Sequence, residues 1–352
     1  MRAFWSGQKP HCLTGLRLLA ASLGALMLSL QSAAAEDIQA VLQKANAYIE
    51  VAKMTERAVE SWERYGSWVN MKTGPTGKER YIDYGMYDLY DVAALLVQAR
   101  AAAGAAPGIQ KLDAALTRYL DAYDALAPAM NQASAYYERK GYEADKAREG
   151  QTLHKTMVPL ATTFLAEREV VMAELRPFIR DVEGLELAAM EAREGRTAAW
   201  QVGHVLHTAN RVVDVFPRNR PQQMSGEALD EAMAALGPQS TGEEFDQVIA
   251  GVEPAKNVII DVQRYNEALE KYAAAVGEFD RFSGEKPDDF DEFKPLPRQL
   301  LGVLRAFQAP LKKSQGRDFK GGPQMAGQIA QVYFEMFNTG NGMWGSQLRF
   351  LP

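Results

Sequence analysis

Apolar residues recur three and four positions apart from one end of this 352-residue chain to the other, and that rhythm leaves few folds open. Ile38, Leu42, Ala45, Ile49, Ala52 and Val59 keep it, interrupted once at Glu56. Val258, Val262, Tyr265, Leu269, Tyr272, Val276 and Phe279 keep it without a break. So do Leu153, Met157, Leu160 and Phe164, with Val171, Leu175 and Phe178 further on. Such spacing lays one apolar seam along each helix, and a seam is stable only when another covers it. Consecutive helices joined by short turns cover one another antiparallel. Alternating strand patterns are hard to find. The expectation is an all-α fold: an elongated antiparallel helical bundle with long, partly kinked helices.

Breakers mark the joints. Thr73-Gly74-Pro75-Thr76-Gly77 reads as a turn between the first two helices, and Ala105 to Gly108, with Pro107, as the entry to a long third one. Pro128 and Pro159 fall inside helical patterns, where each removes a backbone donor and should kink or split its helix. Phe216-Pro217 through Pro221 closes another, and Ser225 and Thr241 read as N-caps. Ser283 to Pro297 is irregular. A last helix pair is expected over Gln299 to Lys313 and Pro323 to Asn338, with a loose glycine-rich tail from Thr339. One helical domain over 36–352 is preferred, with a subdivision near 220 as the alternative.

The first 35 residues read as a signal peptide. Arg2, Lys9 and Arg17 precede an uncharged apolar run through Leu18, Leu23, Leu26, Met27 and Leu30, which ends in Ala33-Ala34-Ala35. That run is shorter than the roughly 20 residues that span a bilayer. The expectation is cleavage after Ala35, leaving a soluble periplasmic chain with no transmembrane segment. Cys12, the single cysteine, lies upstream of the apolar run, where no lipid anchor forms. The remainder then has neither disulfide nor thiolate ligand. Removing the leader's three positive charges from a net −6 leaves −9, which disfavours nucleic acid and anionic membranes as partners.

Four blocks carry a resemblance. Tyr65-Gly66-Ser67-Trp68-Val69 leads to Gly74-Pro75-Thr76-Gly77-Lys78-Glu79-Arg80 and Tyr84-Gly85-Met86-Tyr87. Tyr136-Tyr137, Tyr142, Asp145 and Gly150-Gln151-Thr152-Leu153-His154 follow, then Glu191-Ala192-Arg193-Glu194-Gly195 and Arg264-Tyr265-Asn266. In order and spacing these resemble the YiiG-like proteins. The resemblance implies a predominantly helical envelope protein from a family of unknown function, and it carries over no catalytic residue. Some members look like lipoproteins; the alanines that end this leader imply a free form instead.

Two constellations have chemistry to offer. His204 and His207 stand three apart in a helix expected over Thr197 to Val215, with Asp214 two turns beyond His207. Neutral imidazoles plus a carboxylate suit a divalent metal, the one cofactor the sequence brings into view. Against it, no His-Glu-x-x-His pattern is present, and packing beside Trp200 explains the same residues. The second constellation is Tyr136, Tyr137, Tyr142, Asp145 and His154, which could line a ligand groove if it folds against the loop from Gly74 to Tyr87. The plainer alternative is tyrosines bridging core and solvent between helices.

Other motifs fall away. Gly74 to Lys78 lacks the spacing and the preceding strand of a phosphate loop. Asp288, Asp289, Asp291 and Glu292 lack the alternation of a calcium loop. No Gly-x-Ser-x-Gly elbow is present. The leading expectation is a non-enzymatic binding or scaffolding protein of the envelope, whose partner is an envelope protein or small ligand. A metal- or small-ligand module at His204 and His207 comes second. An unrecognised hydrolase comes third, since paired carboxylates meet only in three dimensions.

Overall fold

The computed structural model describes residues 37–216 and 259–348, and among these it contains helices and no strand. The expected leader, the caps at Ser225 and Thr241 and the subdivision near 220 all lie outside the described residues.

Residues 37–54 form α1, and a single turn residue, Thr55, separates it from α2 (Glu56–Gly66). This is the place where the seam faltered. A connection over residues 67–92, holding a one-turn 3-10 helix at Ile82–Tyr84, leads to α3 (Ala93–Gly104). Then come α4 (Gln110–Glu138), the short α5 (Gly141–Asp145) and α6 (Arg148–Glu194). At 47 residues α6 is about 70 Å long at 1.5 Å per residue. After it come α7 (Ala198–Val213), α8 (Val262–Asp280), α9 (Phe290–Phe293), α10 (Leu296–Lys313) and α11 (Gly322–Trp344).

The all-α expectation holds, and two pairs of long helices run antiparallel. Arg118 reaches Glu167 and Arg139 reaches Glu149 between α4 and α6. Tyr265 donates to the Leu304 carbonyl and Tyr272 to that of Pro297 between α8 and α10. One pair departs from the pattern: α1 and α4 run parallel, with Tyr48 bonded to Asp113 and Thr55 to Tyr119. The long connection after α2 and the returning α3 permit that direction. Pro128 and Pro159 do not split their helices; both lie inside continuous ones, and α6 also contains Pro177. A missing donor costs one bond, and the seams on either side outweigh it.

Buried apolar residues form two cores. The first gathers α1 to α4 and the part of α6 up to Val182; the second begins at Leu187 and gathers α7 to α11. α6 belongs to both. In the second core α7 is central, burying residues around nearly its whole circumference, from Trp200 and Val202 to Val205, Leu206 and Ala209. Thr197 caps it as the sequence requires, its hydroxyl accepting from the Trp200 amide.

The tail differs from expectation. α11 continues to a buried Trp344, and Leu348 joins the first core. Ser346 donates to Glu186, and the Asn46 amide donates to the Gln347 carbonyl, 2.8 Å away. Glycine content had signalled looseness, but Gly340 lies against Phe293, where a Cβ would come within 2.4 Å of the ring, so that glycine is a contact.

Candidate functional site

The four-helix end formed by α2, α4, α5 and α6 brings the tyrosine block against the 67–92 connection, as the sequence reading required for a groove. The block itself forms the floor of that end. Tyr136, Tyr137, Tyr142 and His154 are all buried. Tyr136 donates to Asp145 at 2.9 Å, and burial, then that bond, push its phenol up to about 12. Tyr142 donates to Asp83 at 2.6 Å. The second Asp145 oxygen accepts the Glu149 amide at 2.7 Å in the first turn of α6, and this bond holds the carboxyl below its usual range. Tyr65 Oη lies 3.0 Å from His154 Nδ1. Burial lowers the His154 pKa, opposed by a bond to the Met71 backbone, so a neutral ring is favoured.

Local backbone explains why these residue types stand here. Lys140, Lys146 and Ala147 take φ of 53, 58 and 61° to turn α4 into α6. Each costs about 1 kcal/mol or more in a non-glycine residue, so the surrounding contacts must hold the turn. Gly141 lets the Tyr136 ring through: a Cβ there would lie 2.5 Å from Cδ2. The Gly74 to Glu79 segment proves to be a self-filled turn. Glu79 accepts the Thr76 and Gly77 amides, so its own carboxylate occupies the anion position.

The histidine constellation is spread apart. His207 Nδ1 lies 3.0 Å from Glu183 on α6, and Asn210 completes that carboxylate at 3.4 Å. The His204 ring stacks on Trp200, centroids 4.7 Å apart, and burial lowers its pKa. Asp214 forms an ion pair with Arg180. Among the described residues no group of three or more His, Cys, Asp or Glu is placed to hold a metal ion.

What opens to solvent beside the tyrosine floor is a pair of adjoining clefts. The first, about 500 Å³, is lined by Arg57, Glu60, Glu63, Arg64, Ser67, Tyr84 and Tyr87. The second, about 630 Å³, shares Arg57, Tyr84 and Tyr87 and runs past Asp83, Asp88 and Lys140. Of the sequence candidates only Tyr137 touches it. Arg57 and Arg64 stand two turns apart on one face of α2, and both guanidiniums lie over the Tyr87 ring, at 3.9 and 4.2 Å from its centroid. Arg57 Nε donates to the Asp88 carbonyl and Arg64 Nε to that of Tyr84. Tyr84 and Tyr90 are 52 and 50% exposed, and Tyr81 stacks on Tyr84 at 5.2 Å. Within the cleft, burial and then repulsion from Glu60 push the Glu63 carboxyl up. The sequence reading missed both arginines; their seven-residue spacing on the polar side of the α2 seam was the available signal.

No solved structure matches the chain. "Uncharacterized protein YiiG" of Escherichia coli (strain K12) is 29% identical over 189 residues, which cover 52% of this chain and 54% of that protein. The chain thus spans about half the length of the curated relative it matches. The sequence model described as "Protein of unknown function (DUF3829)" matches residues 39–241, more than half of the chain, and the protein belongs to that family.

Proposed function

We propose that this protein is an exported, non-enzymatic binding protein of the cell envelope, and that it docks a protein partner at the α2 cleft. The leader pattern supports export. No helix among the described residues is long and apolar enough to cross a membrane. The observation that carries the docking reading is Arg64. Its Nε is fixed to the Tyr84 carbonyl and its plane is held near two tyrosine rings, while its terminal amino groups have no partner among the described residues. A preorganised guanidinium fork of this kind matches a carboxylate bidentately. Exposed tyrosine beside arginine is the composition of interface hot spots. The tyrosine faces are themselves covered by arginine and by Tyr81, which favours a protein surface over a stacked sugar.

A photo-crosslinking residue at Tyr84, compared with one at exposed Val97 on α3, tests this in the intact envelope. A discrete adduct from position 84 that vanishes with Arg64→Glu is the expected result. Absence of any adduct at 84, or equal labelling from 97, would overturn it. N-terminal sequencing of the periplasmic form tests export separately, with Glu36 as the expected first residue.

A further inference from the structure

α11 presents its outer face to solvent: Gln324, Gly327, Gln328, Gln331, Phe334, Glu335 and Asn338 are all exposed. In a chain of which 24% is charged, this 23-residue helix carries a single charge, Glu335. Among the described residues, nothing explains two features of the face. Phe334 is 66% exposed, and Gly327 has nothing within 4 Å of where a Cβ would stand. A glycine in a helix interior costs about 1 kcal/mol relative to alanine, and here no contact among the described residues requires it.

We propose that this face packs antiparallel against the same face of a second copy, about a two-fold axis passing near Gln331. Helical geometry makes the face self-complementary in that register. Positions 334 and 327 lie on the same side of the face at nearly equal distances from 331, so each Phe334 enters the notch at the partner copy's Gly327. Positions 335 and 328 stand in the same relation on the other side, so each Glu335 meets an amide rather than a second carboxylate. Positions 324 and 338 pair at the ends. Charge singles out a second copy as the occupant. Two copies of a chain of net charge −6 meet with least like-charge contact on a face with one charge, offset from its own image. Depletion of charge with a central aromatic also fits an interface core. This surface is separate from the α2 cleft, and neither reading depends on the other.

Sedimentation equilibrium of the full chain tests the proposal, with a dimer expected for the wild type and a monomer for Phe334→Asp. In a Cys12→Ser background, Gln331→Cys alone should be joined into dimers by a short bis-maleimide. Gln324→Cys should be joined efficiently only when mixed with the Asn338→Cys chain. Gly327→Leu, which fills the notch but leaves each monomer's contacts intact, should weaken dimerisation at least tenfold with unchanged thermal stability at monomeric concentrations. A wild-type monomer, a dimer indifferent to Phe334→Asp, or crosslinking that favours 324 alone over 331 would each overturn it.

Discussion

His154 shows what burial does to a single side chain at the end of the tyrosine block. The ring is 5% exposed and held between Tyr65 and the Met71 backbone, and burial lowers its pKa. The unfolded chain therefore binds a proton, near a pKa of about 6.5, that the folded chain refuses. Stability rises with pH wherever the unfolded state holds more protons, so it is fully present above that value and declines as pH falls below it. We expect denaturation midpoints to fall between pH 7 and pH 5, and the fall to be shallower in His154→Asn. The shallower slope does not vanish, because burial lowers the His204 pKa as well. A midpoint that rises on acidification would contradict this account. The Tyr136 and Tyr142 hydroxyls belong to internal bonds with Asp145 and Asp83, which the sequence could not disclose. Alternation of tyrosine with charge looks alike whether the hydroxyl faces a ligand or a neighbouring turn.

Helix–helix approach decides what a glycine is worth in an element. In α7, Gly203 lies against Trp344 of α11, where a Cβ would stand 2.4 Å from Nε1. In α10, Gly302 has open space around it. Helix propensity alone favours alanine at both positions by about 1 kcal/mol. We expect Gly302→Ala to raise stability by about that amount. Gly203→Ala should lower it by about 1–3 kcal/mol, because the helix must shift or the indole must move. Chemical denaturation of the two variants gives the signs, and equal signs would show that the α7–α11 contact yields easily. A second such contact bears on the misread tail: Gly340, which looked like punctuation after Asn338, packs closely on Phe293, and α11 runs on to Trp344. The helix expected over Thr197 to Val215 was legible because its cap and seam are both local.

Across the whole molecule α6 is the shared element. It places Val182 in the first core and Leu187 in the second, with the Glu183–His207 bond between them tying α6 to α7. The C-terminal segment crosses the same junction, from Trp344 in one core to Leu348 in the other. Leu304→Ala removes a fully buried side chain of the second core, at a cost of about 2–5 kcal/mol. Because α6 cannot lose half its packing and keep the rest at full strength, we expect amides of α4 to open at the same lowered denaturant concentration. Hydrogen exchange followed by mass spectrometry reads this directly. Unchanged protection in α4 would mean that the two cores unfold separately.

The sequence by itself determined the helical class, most of the joints and the family blocks, because seam spacing, caps and breakers act over one or two turns. It placed His204 and His207 on one helix, and they are there. It could not say that His207 lies against Glu183 on α6 while His204 lies against Trp200. Nor could it say that Arg57 and Arg64 meet Tyr87 from the connection that follows α2. A helical period fixes which residues share a face, whereas the neighbour of that face depends on how all the seams are buried together. Only the tertiary structure made the tyrosine block a floor and the arginine pair a surface.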